Sequence, residues 1–267
     1  MWVVQNIKRV TDLVELAIRA SLDAGTEIMK IYSTEDFGVE MKGDNSPLTK
    51  ADIASQNAIM RYLEQTAIPV LSEESDEQVA YDIRKNWMRC WVVDPLDGTK
   101  EFIKRNGEFT VNIALVENGV PLFGVIYVPA RDELYYSVPG AGAFIRRNAL
   151  SNTTDVKLPS QALPAVFTIV GSRSHSSPET EAYIEEMKAK HGDVDFAASG
   201  SSLKFCLLAE GKAHSYPRFA PTMEWDTAAG HAILIAAGGN VVVWPDKAEL
   251  RYNREQLRNP WFLGSMQ

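Results

Sequence analysis

Three apolar runs, Phe109 to Val116, Val120 to Val128 and Leu134 to Val138, follow one another with only a few residues between them, and this spacing narrows the possible folds most. The breaks, Glu117-Asn118-Gly119 and Pro129 to Asp132, are too short to contain a crossover helix. The runs therefore read as neighbouring antiparallel strands of one meander. Upstream the period changes: Ile7, Val10, Val14, Ala17/Ile18, Leu22 and Ile28/Met29 recur at three-to-four spacing, which predicts a single amphipathic helix from Val4 to about Tyr32. A polar loop from Glu40 to Asp52 leads to a second helix bearing Ile53, Asn57, Met60 and Leu63, stopped near Pro69, and Val70-Leu71 suggests a short strand.

Beyond residue 150 the pattern changes again. Ser151 to Pro164 is polar with two prolines and reads as a subdomain connection. Strand-like runs at 166–170, 194–197, 213–216 and 241–243 then alternate with helical ones at 178–190, 202–209 and 227–237. The expected fold class is α+β for residues 1–150 and α/β for residues 151–267. With 267 residues, 45% of them hydrophobic, one large or two modest cores are within reach. A net charge of −8 and no dense Lys/Arg run argue against a nucleic-acid polymer as partner. Cys90 and Cys206 sit in apolar surroundings without CxxC spacing, which suggests buried thiols in a reducing compartment and leaves a disulfide between them open. No secretory signal and no apolar run long enough to span a bilayer is evident, so a cytoplasmic protein without an integral membrane segment is expected.

Chemistry concentrates in Trp91-Val92-Val93-Asp94-Pro95-Leu96-Asp97-Gly98-Thr99, where an apolar strand runs into two carboxylates three residues apart. Asp94 is expected to leave the core where the sheet ends, and a carboxylate there is costly unless paired or metal-bound. Pro95 restricts the turn and Gly98 permits close approach or positive φ, although Pro, Asp and Gly are also the commonest turn residues. Asp52, Glu73 and Asp226 stand at further element boundaries. Acids at helix starts are ordinary caps, and that reading suffices for Asp52 or Asp226 taken singly. Taken together, the all-oxygen donors, with His175, His191, His214 and His231 lacking HExxH spacing, favour Mg²⁺ over Zn²⁺.

Glu73-Glu74, Asp94 to Thr99 (DPLDGT) and Trp225 to Gly230 (WDTAAG) occur in the order found in the inositol monophosphatase superfamily, which the chain resembles over nearly its whole length. The segments Asp44 to Asp52, Leu71 to Glu74, Lys100 to Thr110 and Gly200 to Cys206 make it most similar to the bacterial 3'(2'),5'-bisphosphate nucleotidases of that superfamily. The resemblance implies a layered α-β-α-β-α sugar-phosphatase fold with two subdomains, the first carrying most metal ligands and the second carrying Asp226 and nucleotide contacts. It implies two or three Mg²⁺ ions, one held by Glu73, Asp94 and the Leu96 carbonyl and a second by Asp94, Asp97 and Asp226. Lys42 is a candidate contact to waters of a third ion and is equally readable as a surface lysine. Asp52, Thr99 and Glu73 are the implied catalytic residues, with Thr99, oriented by Asp52, positioning the attacking water and accepting its proton.

Gly98, Thr99, Ser201, Lys204, Arg218 and His175 are the implied substrate contacts, with His175 near the base. Lys204 and Arg218 are equally readable as solvated surface charges, and a lone histidine such as His175 ordinarily has no special role. The implied reaction is hydrolysis of the 3'-phosphate of adenosine 3',5'-bisphosphate to AMP and phosphate, sensitive to Li⁺. An inositol monophosphatase is the alternative enzyme, and a noncatalytic nucleotide- or metal-binding regulator is the alternative from another class. The resemblance also allows peripheral association with the inner membrane.

Overall fold

A computed structural model describes residues 9–41, 47–75, 78–172 and 177–266. Helix α1 (Val10–Tyr32) leads to a two-strand hairpin, β1 (Glu40–Met41) and β2 (Pro47–Leu48), then to α2 (Lys50–Leu63), β3 (Val70–Ser72), α3 (Tyr81–Arg84), β4 (Arg89–Asp97) and α4 (Thr99–Ile103). The meander follows as β5 (Thr110–Glu117), β6 (Val120–Val128), β7 (Glu133–Val138), β8 (Gly142–Arg147) and β9 (Val156–Leu158). The remainder comprises β10 (Phe167–Gly171), α5 (Pro178–His191), β11 (Val194–Ala198), α6 (Leu203–Glu210), β12 (Ser215–Arg218), α7 (Glu224–Ala236), β13 (Asn240–Val243) and β14 (Phe262–Ser265).

Strands β3 to β9 lie side by side in chain order in a seven-stranded sheet, antiparallel except for the β3–β4 pair. The second sheet has order β11-β10-β12-β14-β13, with parallel pairs around β10 and antiparallel pairs around β14. Side chains alternate across a strand, and β4 uses both faces. Trp91 and Val93 join a core with Leu13, Ile28 and Ile59 of α1 and α2, whereas Cys90 and Val92 join one with Phe205, Leu208, Ile233 and Leu234 of α6 and α7. A third cluster, Ile169, Tyr183, Met187 and Phe219, seats α5 on the outer face of the second sheet. Helix and sheet thus alternate in five layers, α1/α2, sheet, α6/α7, sheet, α5, as the resemblance implies.

Four local expectations are corrected. The first helix starts at Val10 rather than Val4, with Arg9 extended before it, and residues 1–8 lie outside the described part. The sheet does not end at Asp94: Asp94 pairs with Asn112 and Asp97 with Thr110 across a register shift. Pro95 lacks the N–H a regular ladder needs, so the strand bulges around Pro95-Leu96 and resumes. Helix α7 begins at Glu224 rather than Thr227 because Asp226 caps Met223. The connection expected at 151–164 contributes β9, paired with β8, to the first sheet. Cys90 and Cys206 are both buried free thiols, which closes the question of a disulfide. Among the described residues no helix is long and apolar enough to cross a membrane.

Candidate active site

The first turn of α2 presents Asp52, which is only 1% exposed. Thr49 is the N-cap of that helix and Asp52 its third residue, so the two close a capping box. The Thr49 N–H and hydroxyl donate to Asp52 Oδ2 at 2.7 and 2.6 Å. Asp52 Oδ1 is turned to another element and accepts from Thr99 Oγ1 at 3.2 Å. The helix cap and the Asp52–Thr99 hydrogen bond are therefore both present, one on each oxygen. Thr99 Oγ1 also lies 3.3 Å from the Leu96 carbonyl, and its single proton serves one acceptor at a time. Gly98 caps α4 at φ +94°, where a Cβ would come within 3.0 Å of the Glu108 carbonyl, so the turn requires glycine there.

The motif strand places the other acids. Asp94 is 1% exposed, and its Oδ1 accepts from the Leu96 N–H at 3.0 Å. The Leu96 side chain packs in the α1/α2 core while its carbonyl faces Thr99, and Ser55 Oγ donates to the Pro95 carbonyl at 2.6 Å, anchoring the bulge to α2. Glu73 follows β3, and its N–H reaches the Val93 carbonyl at 3.1 Å, next to Asp94. Asp226, in the first turn of α7, accepts from the Met223 N–H through Oδ2 at 2.9 Å. Burial first, then the charges of Glu73, Asp97, Asp226 and Asp52, pushes the Asp94 carboxyl well above the usual range. Burial and then Asp97 do the same to Asp226.

Asp97, at the end of β4, connects to the loop before α6. Its Oδ2 accepts from Ser201 Oγ at 2.7 Å and Ser202 Oγ at 2.9 Å, and Asn112 Nδ2 stands 3.4 Å away. Asn112 Nδ2 donates to Ser202 Oγ at 2.9 Å, Thr110 Oγ1 lies 2.9 Å from Asn112 Oδ1, and the Thr110 and Ser201 hydroxyls are 2.7 Å apart. Lys204, 5% exposed, donates to the carbonyls of Ser199 and Ser201 at 3.3 and 2.5 Å. Burial, and then Arg218, lowers its ammonium to about 8. Arg218 donates to the Pro221 carbonyl at 2.9 Å. Ser201, Lys204, Arg218, Asp97 and Asp226 share the wall of a cavity of about 150 Å³ with Lys100 and Ser172. A cavity of about 890 Å³ between α5 and the second sheet has none of these residues in its wall.

Asp52, Thr99, Asp94, Leu96, Asp97, Gly98 and Asp226 are thus interlinked directly or by charge, and Ser201, Lys204 and Arg218 adjoin them at the cavity. His175 and Lys42 lie outside the described residues. Reasoning on the acids alone passed over Thr110, Asn112 and Ser202. The signal was available: two polar residues interrupt the otherwise apolar β5 and are fully buried there.

A hard cation fits this donor set. Asp94, Asp97 and Asp226 form no ion pair with any described residue; Asp97 and Asp226 are half-buried and feel Lys204 and Arg218 only through charge, whereas Asp94 is fully buried, and a buried carboxylate without a cationic partner is costly. Oxygen-only donors suit a hard divalent ion. Among the described residues these side chains do not close into a ligand cage of three or more; they meet through mutual repulsion.

Residues 9–261 match the model of the inositol monophosphatase family. A protein from Shigella flexneri named 3'(2'),5'-bisphosphate nucleotidase CysQ is 46% identical over 243 residues, 90% of this chain and 94% of its own length. The protein of the same name from Escherichia coli K12 is 45% identical over 243 residues, with the same coverage of 90% and 94%. The crystal structure of CysQ from Bacteroides thetaiotaomicron, described as a bacterial member of the inositol monophosphatase family, superposes with a TM-score of 0.87 at 50% identity, covering 95% of this chain and 97% of that one. The suhB protein of Bartonella henselae, at 23% identity and a TM-score of 0.75 over 96% of this chain and 94% of its own, shares the fold.

Proposed function

Because the chain belongs to the inositol monophosphatase family, we propose that it is a metal-dependent 3'(2'),5'-bisphosphate nucleotidase, hydrolysing the 3'-phosphate of adenosine 3',5'-bisphosphate to AMP and phosphate. The observation that carries this reading is 45–50% identity, over at least nine tenths of the chain, to nucleotidases of that name and to a CysQ structure. The complete acid set, Asp52, Glu73, Asp94, Asp97 and Asp226, argues against a noncatalytic regulator. Likeness to inositol monophosphatases at 22–25% identity speaks to the fold alone.

In this reading Mg²⁺ is the cofactor, as two or three ions held by Glu73, Asp94, the Leu96 carbonyl, Asp97 and Asp226. Bound there, the cations would acidify the attacking water and offset phosphate charge. The chain's own residues do the rest. Thr99 donates to Asp52 Oδ1, which leaves the hydroxyl's lone pairs free to orient the water; as Thr99 accepts the water's proton it would pass its own to Asp52 Oδ1, where that proton comes to rest. Asp52 keeps its place while doing so because its other oxygen is committed to the capping box. The Gly98–Thr99 turn is suited to phosphoryl oxygens. Ser201, Lys204 and Arg218, on the cavity wall beside Asp97, would meet the second phosphate, and His175 the base.

The two sheets support a division into two subdomains, with the boundary between β9 and β10 rather than at residue 150, the first carrying most ligands and the second Asp226 and the nucleotide contacts. Buried free thiols support a cytoplasmic setting, and peripheral contact with the inner membrane is carried over from the resemblance. The test is phosphate release from adenosine 3',5'-bisphosphate, inositol 1-phosphate and fructose 1,6-bisphosphate with Mg²⁺, with and without Li⁺. Preference for the nucleotide with inhibition by Li⁺ is expected; preference for inositol phosphate overturns the substrate assignment.

A further inference from the structure

Asp94, Asp97 and Asp226 are each held through one carboxylate oxygen. Asp94 uses Oδ1 for the Leu96 N–H and Asp226 uses Oδ2 for the Met223 N–H. Of these three Asp97 has the most partners: its Oδ2 accepts from the Ser201 hydroxyl at 2.7 Å and has the Ser202 hydroxyl, whose one proton it shares with the Asp226 carbonyl, at 2.9 Å, while no described residue donates to its Oδ1. A carboxylate oxygen has two lone pairs, so those bonds largely exhaust Oδ2.

The donors are themselves constrained. Ser201 sits at φ +48°, a left-handed conformation uncommon for a non-glycine residue, and its hydroxyl lands on Asp97. Gly200 is fixed by its N–H to Glu108 Oε2 at 3.0 Å, and Lys204 grips the carbonyls on either side. Ser202 Oγ has one proton and two acceptors, Asp97 Oδ2 at 2.9 Å and the Asp226 carbonyl at 2.7 Å, and it receives a proton from Asn112. One hydroxyl thereby touches both β4 and α7, the elements that carry Asp97 and Asp226.

We propose that Ser201 and Ser202, backed by Asn112 and Thr110, are positioning residues that pin one oxygen of Asp97, so that Asp97 and Asp226 each present a single oxygen and the site favours a small six-coordinate cation over Ca²⁺. This rests on the reading of Asp97 and Asp226 as metal ligands. Ca²⁺ accepts six to eight oxygens, including two from one carboxylate, whereas Mg²⁺ demands near-octahedral geometry. Freeing Asp97 Oδ2 permits the bidentate grip that Ca²⁺ uses. The Ser201 hydroxyl then serves the carboxylate, and its share in substrate binding is its place on the cavity wall.

The test is calorimetric titration of the full-length chain with Mg²⁺ alone and with Ca²⁺ alone. Ser202→Ala and Ser201→Ala are expected to weaken Mg²⁺ binding by about 10- to 100-fold, the usual cost of losing a group that orients a ligand, while Ca²⁺ affinity is retained. Ser202→Thr, which keeps the hydroxyl, restores the Mg²⁺ preference. Should Ser202→Ala fail to fold, Ser201→Ala carries the comparison, since it removes the shorter bond to Asp97. Parent-like Mg²⁺ affinity in both alanine variants, or equal loss of both ions, overturns the proposal. Asp97→Asn separates the two levels: if it binds Mg²⁺ as the parent does, the ligand assignment fails and takes the proposal with it. If it abolishes binding while the serine variants behave as the parent, the positioning role alone is wrong.

Discussion

Two oxygens of one carboxylate do different jobs at Asp52, and this division makes a sharp experiment possible. Thr99→Val keeps the shape but removes the hydroxyl that bonds Asp52 Oδ1; kcat is expected to fall by about 10²- to 10⁴-fold, the usual worth of positioned proton transfer. Mg²⁺ affinity measured by calorimetry should stay near that of the parent. Lys204 gives a pH-dependent counterpart. Burial lowers its ammonium to about 8, so the charged form dominates below that pH and is lost above it. The KM for the bisphosphate nucleotide is therefore expected to rise as pH passes about 8, and Lys204→Met should flatten that rise; a parent-like profile in the variant assigns the titration elsewhere. The acids were legible in the sequence because carboxylates at element boundaries are conspicuous. The hydroxyls and amide behind them were not, since Thr110 and Asn112 gain their meaning only when β5 pairs with β4 and Ser201-Ser202 comes across from the other half of the chain.

At the scale of elements, strong periodicity made the long helices and the β5–β7 meander readable, because burying one helical stripe or alternating strand faces leaves a regular trace. Strand β8 and strand β14 left little trace: β8 runs into two arginines, and β14 is a four-residue segment containing glycine and serine. The bulge in β4 hid for a related reason, since proline and aspartate look like a turn until the strand is seen to resume at Asp97. Helix α7 shows what sequence reading cannot weigh. It packs on β4, β5 and β6 and also touches α6 and β13, and it approaches so closely that a Cβ on Gly124 would fall on the backbone of Ala229. Gly124→Ala is therefore expected to lower stability by about 1–3 kcal/mol through overpacking, measured as a reduced urea midpoint. Because the same helix carries Asp226, Mg²⁺ affinity should weaken in parallel.

For the molecule as a whole, the acid cluster is a store of repulsion that ties stability to both pH and metal. Asp94 and Asp226 have carboxyls raised in the folded state, by burial first and by neighbouring acids next. Between the ordinary carboxylate range and those raised values the folded chain holds more protons than the unfolded one, so metal-free stability falls as pH rises through that window. A cation that binds only the folded form stabilises it by mass action and relieves the same repulsion. The Mg²⁺-induced increase in Tm is expected to be larger at about pH 7.5 than at about pH 5, where protons compete for the carboxylates; an increment independent of pH would count against a cation seated among these acids. The position of α7 carries a further consequence, for the chain as it is made. One face of the first sheet receives α1 and α2, which precede it in sequence, but its other face awaits α6 and α7, more than forty residues beyond β9. On the ribosome, domains form from the N-terminus onward, so the apolar side of the meander emerges seconds before the helix that covers it. That interval is the chain's exposure to aggregation, and it ends with the arrival of the same helix that delivers Asp226.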